Sequence, residues 1–347
     1  MVEVSTIGLD LAKNVFQVHG VDAKGQVVIR RQVRRSQLLR YFAKLPSCLI
    51  GMEACAGAHY WARELIALGH QVKLMPPTRV KPHVKWGSKN DAADAKACCD
   101  AVTRTDMRFV PVKTPEQQSA LALHRARDLL VRQQTRLCNA IRGHLAEFGI
   151  VRPKGERGMT ELVRILRDHQ DTQVPTVLRR ALLTLVAQLD TADQEIGALD
   201  RQIVAWHKTN DDSRRLATIP QLGPLISSAI VVTVGDAGRF QNARQFAAWL
   251  GLVPSQNSTG GKQRLGGITK TGDRYLRRLL VLGATGMIRR VRTKPDLAPW
   301  FTKLLGRKPA KQAAVALANK MARIVWAILV KGGTYRAPAP AIAPTAA

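Results

Sequence analysis

The sequence has few acidic side chains, no paired-cysteine motif and no long hydrophobic run. Its 347 residues carry 25 Asp and Glu against 54 Lys and Arg, a formal net charge of +29. No apolar run reaches the length that a bilayer span needs, and the first residues lack the basic and apolar segments of a signal peptide. We therefore expect neither a signal peptide nor a membrane partner.

Cysteine and histidine patterns exclude two further classes. The five cysteines show neither CxxC pairing nor zinc-ligand spacing, so we interpret them as reduced and buried, which is typical of a cytosolic protein. The histidines at positions 19, 59, 70 and 83 are scattered and predict no zinc site.

The excess of positive charge favours a polyphosphate partner, because binding releases the counterions condensed on nucleic acid. An anionic membrane surface is the competing interpretation, but no isolated basic amphipathic helix supports it. With 46% hydrophobic residues, the chain is a folded protein and not a disordered basic tail.

Four acids stand out in the first hundred residues of this basic chain. Asp10 and Glu53 each end an apolar run, and Asp91 and Asp94 lie one helical turn apart at the start of a predicted helix. Singly, each acid could cap a loop or favour a helix N-terminus. Together they predict a divalent-metal site in an enzyme that acts on nucleic acid.

The first segment, about residues 1–112, has the pattern of an α/β domain. We expect strands at 4–10, 15–21, 27–33, 48–52 and 71–75, helices at 37–44, 57–68 and 91–103, and a basic loop at 76–89. Three strands in a meander, followed by alternating helices and strands, are typical of a ribonuclease-H-like fold. That fold places acids on its first strand, its fourth strand and a late helix, which matches the four acids.

Residues 113–210 are predicted to be helical. Thr114-Pro115-Glu116 is a helix start, and Gly149 is a natural stop for that helix. A short helix near 159–168 precedes a long one that begins near Pro175. Its apolar residues, from Leu178 to Trp206, alternate in steps of four and three, which is a heptad seam. The seam predicts packing on a helix of the same chain or an intermolecular coiled coil, and the sequence does not choose between them.

The last segment, residues 211–332, contains two candidate nucleic-acid contacts. Residues 219–230 resemble a helix-hairpin-helix, whose glycine turn (Gly223 here) points backbone N–H groups at phosphate. Gln221 replaces the usual first glycine, and an ordinary helix–turn–helix connection is the alternative.

The second candidate, residues 250–278, is polar, glycine-rich and hydroxyl-rich. From Ser255 to Lys311 the chain has fourteen basic residues against two acids. The candidate backbone and phosphate contacts are Gly260, Gly261, Lys262, Arg264, Lys270 and Arg274. The region could hold a nucleophilic serine, or it could be a flexible basic loop that only grips phosphate. Tyr275 is expected to pack on a helix, and residues 333–347 are expected to form a disordered tail.

Taken together, five motifs resemble the DEDD transposases of bacterial insertion sequences, the IS110 group, which are related to Piv-type invertases. The resemblance runs from about residue 6 to residue 331. The motifs are Ile7-Gly-Leu-Asp-Leu-Ala-Lys13, Gly51-Met-Glu-Ala-Cys55, Lys89-Asn-Asp-Ala-Ala-Asp-Ala95, Ile219-Pro-Gln-Leu-Gly-Pro224 and Ser258-Thr-Gly-Gly-Lys262.

The resemblance implies a RuvC-like N-terminal domain, a coiled-coil middle and a mainly helical C-terminal transposase domain. It implies a cytoplasmic, nucleoid-associated recombinase with Mg²⁺ or Mn²⁺ on Asp10, Glu53, Asp91 and Asp94, and a serine nucleophile at Ser258, with Ser255 as second choice. The implied partners are donor and target DNA, a structured noncoding guide RNA and further copies of the chain, as a dimer or a tetramer.

Two other functions use the same residues. A structure-selective nuclease, such as a junction resolvase, would use the acids with water as nucleophile and would not need Ser258. A noncatalytic nucleic-acid-binding protein would tolerate alanine at Asp10 and Glu53, although the complete set of acids argues against it. An actin-like kinase is a more distant alternative, because the chain shares its Gly-Leu-Asp start but has no second phosphate-binding glycine loop in its N-terminal half.

Overall fold

The computed structural model describes residues 3–84 and 90–337. The chain divides into two compact units, of which the first ends at Glu116 and the second begins at Gln117. The N-terminal unit is α/β and the second is mainly helical, as the composition and periodicity predict. The further division near residue 210 stays a prediction. The expected tail beyond residue 337 and the 85–89 part of the expected basic loop lie outside the described residues.

A five-stranded mixed sheet forms the centre of the first unit, in the order β3-β2-β1-β4-β5. The first three strands are antiparallel, and β1, β4 and β5 run parallel. β1 and β4 are apolar and almost fully buried, as strands covered on both faces must be. The strands are Thr6–Asp10 (β1), Val15–Val21 (β2), Val27–Arg34 (β3), Leu49–Glu53 (β4) and Gln71–Met75 (β5).

Helices cover this sheet close to their expected positions. They are Leu38–Phe42 (α1), Ala58–Ala67 (α2), Pro77–Val80 (α3) and Asp91–Val102 (α4). Two expectations need correction. The first helix is shorter than expected because a 3-10 turn at Arg35–Gln37 precedes it, and the expected loop at 76–89 contains α3 and a 3-10 turn at Lys81–His83.

Three helices open the second unit: Pro115–Ala146 (α5, which begins at the end of the first unit), Glu156–Arg167 (α6) and Thr176–Thr209 (α7). The first half of the heptad seam is filled by neighbours of the same chain, since Leu182 and Leu189 of α7 pack with Ile141 of α5 and Leu162 of α6. In the second half, Ile203 is buried and Trp206 packs against the core of the remaining helices, whereas Ile196 and Leu199 are half-buried. An intermolecular coiled coil therefore stays a prediction.

The remaining helices enclose a second, larger core. They are Asp211–Leu216 (α8), Pro224–Val234 (α9), Ala243–Trp249 (α10), Arg274–Thr293 (α11), Pro299–Leu305 (α12) and Ala310–Lys331 (α13). The core packs α11 against α13, with buried Leu280, Ala284, Ala318 and Val325. Between α10 and α11 the chain forms a two-stranded antiparallel hairpin of Pro254–Gln256 (β6) and Leu265–Ile268 (β7). The sequence interpretation of this stretch as a loop missed the hairpin.

In the described part of the chain, α13 is long and apolar enough to cross a membrane by length and composition. The expectation that no segment reaches that length is therefore wrong. A core helix passes the same test, and one face of α13 packs in the core described above.

A buried histidine joins three helices of the second unit. His124 of α5 lies 3.2 Å from the Tyr275 hydroxyl through Nδ1 and 3.1 Å from Ser228 Oγ through Nε2. Ser228 donates its proton to the Pro224 carbonyl at 2.6 Å, so Nε2 donates to Ser228 and Nδ1 accepts from Tyr275. Tyr275 is thus a packed residue, as expected. Its pKa is raised to about 12, chiefly by burial.

The cysteines are free, but only three of them are buried. Cys48, Cys98 and Cys99 lie in the core, whereas Cys138 is half-buried and Cys55 is exposed. The expectation that all five are buried is wrong for the last two.

Candidate functional site

Two acids end neighbouring parallel strands. Asp10 is the last residue of β1 and Glu53 the last of β4, and their preceding residues, Leu9 and Met52, are paired in register. Because parallel strands end at the same sheet edge, both carboxylates leave the sheet there. We call this the acid edge. Asp91 and Asp94 occupy the first turn of α4, which packs on β1, β2 and β4.

Two glycines let α4 lie directly on the sheet. A Cβ at Gly8 would come within 1.9 Å of the Ala95 carbonyl oxygen, and one at Gly51 within 2.6 Å of Val102 Cβ. The two glycines face each other across β1 and β4. Without this close approach, the first turn of α4 could not sit at the acid edge.

No role was predicted for these glycines, although the sequence carries a signal for them. Ile7-Gly8-Leu9-Asp10 and Ile50-Gly51-Met52-Glu53 repeat one pattern, in which a glycine lies two residues before an acid on a buried strand. The repeat marks two equivalent strands that share one covering helix.

The first turn of α4 is fixed by its cap. The Asn90 side chain accepts a hydrogen bond from the Ala93 amide at 2.8 Å, which satisfies one of the free N–H groups of the helix start. This cap, also missed from the sequence, orients the turn that carries Asp91 and Asp94.

Electrostatics show that the four acids influence one another. Burial, followed by the nearby charges of Asp94, Asp91 and Glu53, raises the pKa of Asp10 to about 6, against a backbone hydrogen bond from Leu11 that lowers it. Burial and Asp94 likewise raise the pKa of Glu53. Like charges gathered at a partly desolvated edge oppose ionisation.

The donor set of the acid edge suits a hard divalent cation, because all four groups offer carboxylate oxygens. The mutual repulsion is the property that such a cation would neutralise. Within residues 3–84 and 90–337, no three Asp, Glu, His or Cys side chains converge closely enough to form a complete metal site unaided. The edge is therefore an open acidic site, where a bound cation would take further ligands from a phosphate oxygen or from water.

Ser258 lies in the turn of the β6–β7 hairpin, in the second unit. Its Oγ accepts a hydrogen bond from the Arg264 amide at 3.2 Å, and the Asn257 amide donates to the Arg264 carbonyl at 2.9 Å. Ser255 sits lower on the hairpin and donates to the Gly267 carbonyl at 3.1 Å. Ser255 is thus engaged in joining the strands, while the Ser258 hydroxyl keeps its proton free to donate elsewhere.

Glycines make the hairpin tip compact. Gly260 and Gly261 have φ of 56° and 76°, the left-handed region that other residues adopt at a cost. The predicted cationic contacts are all exposed on this side of the second unit: Lys262, Arg264, Lys270 and Arg274.

The base of the hairpin is anchored by side chains that no sequence pattern predicted. Arg277 of α11 donates to the Leu250 and Thr271 carbonyls at 3.0 and 2.6 Å, one before and one after the hairpin. Asn319 of α13 donates to the Leu252 carbonyl at 3.1 Å. The helical core thus fixes where the hairpin begins, whereas its tip depends on backbone hydrogen bonds.

The helix-hairpin-helix-like segment forms a tight turn between α8 and α9. Gln221 adopts φ of 71°, so this position has the backbone geometry of the glycine that it replaces. Gly223 caps α9, and nothing lies within 4 Å of the Cβ position it lacks. The turn leaves the start of α9 open on the side of Gly223, as a phosphate contact requires.

Comparison with known proteins adds independent evidence. A sequence profile described as "Transposase IS116/IS110/IS902 family" matches residues 213–298, and a second profile, of IS110-type DEDD transposases, matches residues 7–150. A probable family 20 transposase of Pseudomonas aeruginosa is 49% identical over 335 residues, which cover 96% of this chain and 99% of the relative.

Two further relatives are named for insertion sequences. The transposase for element IS1111A of Coxiella burnetii is 39% identical, covering 97% of this chain and 92% of the relative. The transposase for element IS1328 of Yersinia enterocolitica is also 39% identical, covering 96% of this chain and 99% of the relative.

Proposed function

The chain belongs to the IS116/IS110/IS902 family of transposases and is a DNA transposase, and from this premise we propose that it exchanges DNA strands with a cation-loaded acid edge and a serine nucleophile. The observation that carries the proposal is that four acids lie close together at one sheet edge, where burial and their like charges raise the pKa of Asp10.

The family implies a divalent metal cation, and the acid edge is where this chain would hold it. Asp10 and Glu53 would bind from the sheet, and Asp91 and Asp94 from α4. We propose Mg²⁺, with Mn²⁺ as a substitute, because carboxylates suit both ions. Such an ion would supply a Lewis acid that polarises a phosphate oxygen. The protein's own contribution is to fix the four carboxylates before the DNA arrives.

Ser258 is the proposed nucleophile. Its Oγ would attack the scissile phosphorus as its proton is lost, forming a phosphoserine bond while the P–O bond to one DNA end breaks and leaves a free hydroxyl. A hydroxyl of a second DNA end then attacks the phosphoserine and releases the serine. The number of phosphoester bonds is conserved, so the exchange needs no ATP.

The strand order supports a RuvC-like, ribonuclease-H-like first domain. Three antiparallel strands followed by two parallel ones, with acids on the first and fourth strands and on a later helix, are the arrangement expected for that fold. We assign residues 1–112 to it, 113–210 to the long-helix region and 211–332 to the transposase domain.

A guide RNA and oligomerisation complete the proposal. The positive charge would bind RNA as well as DNA, and base pairing with RNA would leave the protein to contact mainly the backbone and the shape of the nucleic acid.

A groove of about 630 Å³ between α5 and α7, lined by Leu130, Leu137 and Ala187, offers room for a helix of a second subunit. We propose a dimer or a tetramer in which this groove and the half-buried seam residues Ile196 and Leu199 contribute.

The experiment is a recombination assay with Mg²⁺, the RNA from the element's noncoding end, and labelled donor and target DNA. It compares the wild type with Asp10→Ala, Ser258→Ala and Ser255→Ala on denaturing gels that retain protein–DNA adducts. We expect an RNA-dependent adduct that the first two variants lose entirely. Ser255→Ala should keep it, because this serine only joins the two strands of the hairpin.

Two outcomes would redirect the proposal. Cleavage that survives Ser258→Ala without an adduct would indicate hydrolysis by a junction-resolvase-like nuclease. An adduct that survives Ser258→Ala but not Ser255→Ala would move the nucleophile to Ser255.

A further inference from the structure

A groove of about 900 Å³ lies beside the acid edge on the first unit. It is lined by the start of β2, the end of β3 and the first turn of α2, with Asn14, Arg34, Arg35, Ser36, Tyr60 and Trp61 among its residues and no carboxylate. Its size is that of a small-ligand site, which can hold a few nucleotides of one strand. We call it the Arg34–Tyr60 groove.

The groove is strongly positive. Between Asp22 and Glu53 the sequence has seven Lys and Arg and no acid. In the described part of the chain, neither Arg34 nor Arg35 has a carboxylate within ion-pairing distance. Arg35 is held in place, because its guanidinium lies 5.1 Å from the Trp61 ring centroid and 5.7 Å from that of Phe16. Uncompensated and preoriented guanidinium groups favour phosphate.

An aromatic ring is exposed in the same groove. The Tyr60 side chain is 43% exposed, and its ring meets that of buried Trp61 edge-on at 5.0 Å between centroids. Trp61 therefore fixes one edge of Tyr60 and leaves the ring available to a ligand. A supported aromatic ring beside arginines is the combination that holds single strands, because each base can stack while the phosphates meet cations.

The groove and the acid edge are at the same end of the sheet. Val15, at the start of β2, pairs with Arg34 at the end of β3, and Gln17 pairs with Asp10 at the end of β1. Two strand spacings separate β3 from β1, roughly 10 Å. The groove opens on the α2 face, where Phe16 and Trp61 pack, whereas Asp10 shares the α4 face with Gly8. A strand lying in the groove would therefore turn around this end of the sheet and reach the acid edge within a few nucleotides.

We propose that the Arg34–Tyr60 groove binds an unpaired nucleic-acid strand that continues from the phosphate held at the acid edge. Phosphates contact Arg34 and Arg35, and a base stacks on Tyr60. A double helix does not fit this role, since its bases face inward and cannot stack on a side chain. The role of the strand rests on the proposed function, whereas binding itself requires neither the cation nor Ser258.

The test measures binding of labelled oligo-dT, oligo-U and a DNA duplex to the full-length chain in EDTA, across a salt series. Arg34→Gln should reduce the slope of log K against log salt by about 0.7 for single strands, the value for one lost phosphate contact. Tyr60→Ala should weaken single-strand binding roughly tenfold, because a stacking contact is lost, while Tyr60→Phe should bind like the wild type.

Lys24→Gln is the matched control for charge. Lys24 lies in the turn at the other end of β3, so its neutralisation removes the same charge outside the groove. A 5-iodouracil-substituted strand should also cross-link to the peptide that contains Tyr60. Circular dichroism confirms that each variant is folded, which the exposure of Arg34 and Tyr60 favours.

Equal salt slopes for Arg34→Gln and Lys24→Gln, or an equal loss of duplex and single-strand binding by Tyr60→Ala, would overturn the proposal. If Arg34→Gln and Tyr60→Ala weaken the binding of oligo-dT more than that of oligo-U, the result supports the proposal and identifies the bound strand as DNA. If they weaken the binding of oligo-U more, the result supports the proposal with RNA as the strand. The chemistry is tested separately. Failure of Asp10→Ala to abolish strand exchange would contradict the proposed function even if the groove binds as expected.

Discussion

The acid edge and the serine hairpin are built in opposite ways. The acids extend from the ends of buried strands and from a capped helix that two glycines bring onto the sheet. Ser258 sits near the tip of an exposed hairpin, and that tip is shaped by hydrogen bonds within the hairpin and by two left-handed glycines. In the proposed function, several carboxylates would share one ion and would need a rigid spacing, whereas a single hydroxyl would need only to reach a phosphate. The difference indicates where the protein tolerates change.

The strongest test of this contrast is to add one methyl group to each region and compare the losses. Gly8→Ala places a Cβ within 1.9 Å of the Ala95 carbonyl oxygen, so α4 must move. We expect at least a hundredfold loss of strand exchange and a destabilisation of about 1–3 kcal/mol, typical of overpacking. Gly267→Ala, on the hairpin, has nothing within 4 Å of its Cβ and should change stability little. Recombination assays and urea unfolding measure both, and equal losses in the two variants would contradict the contrast.

Acid should weaken the second unit through His124. Burial lowers the pKa of this histidine to about 4, so the folded state favours its neutral form. Its contribution is complete above pH 6.5, the value in the unfolded chain, and is lost as pH falls toward 4, by about 3 kcal/mol. The urea midpoint should drop between pH 7 and pH 4.5.

His124→Gln should flatten this pH dependence, because glutamine can donate and accept without titrating. A residual slope is expected from His207, whose pKa burial also lowers. The exposed His169→Gln is the control and should leave the slope unchanged. An unaltered slope in His124→Gln would show that other groups carry the acid sensitivity.

At the acid edge, stability should change with pH in the opposite direction from the change caused by His124, and by a smaller amount. Because the pKa of Asp10 is raised to about 6, its charged form destabilises the folded state above that pH, and this penalty disappears as pH falls toward 3.8. Asp10→Asn should therefore abolish Mg²⁺-dependent strand exchange, yet without divalent cations at pH 7.5 it should stabilise the protein by about 1 kcal/mol, after allowing for solvent screening.

Thermal unfolding with and without Mg²⁺ measures this effect. Mg²⁺ should raise the Tm of the wild type more than that of Asp10→Asn. Asp100→Asn, on α4 but paired with Lys96, serves as the control and should not be stabilised. A lower Tm for Asp10→Asn in EDTA would show that repulsion does not dominate at this edge.

Sequence patterns predicted the first unit well because its elements are local. Alternation placed β2 at its observed limits, and β5 likewise matches its prediction. The acids were found because an acid that ends an apolar strand is unusual in a chain so rich in Lys and Arg. The β6–β7 hairpin was missed because its strands are short, polar and exposed, so they carry no hydrophobic alternation.

By itself, the sequence determined the position of the four acids at the ends of strands and the start of a helix, the order of strands and helices, the long helices and the basic, hydroxyl-rich stretch. Each of these depends on residue type and short-range periodicity. Only the tertiary structure decided that Gly8 and Gly51 admit α4, that helices of the same chain fill most of the heptad seam, and that Arg34 shares a groove with Tyr60. These facts depend on contacts between residues distant in the chain. Local pattern specifies which face of an element is apolar, but not which neighbour will cover it.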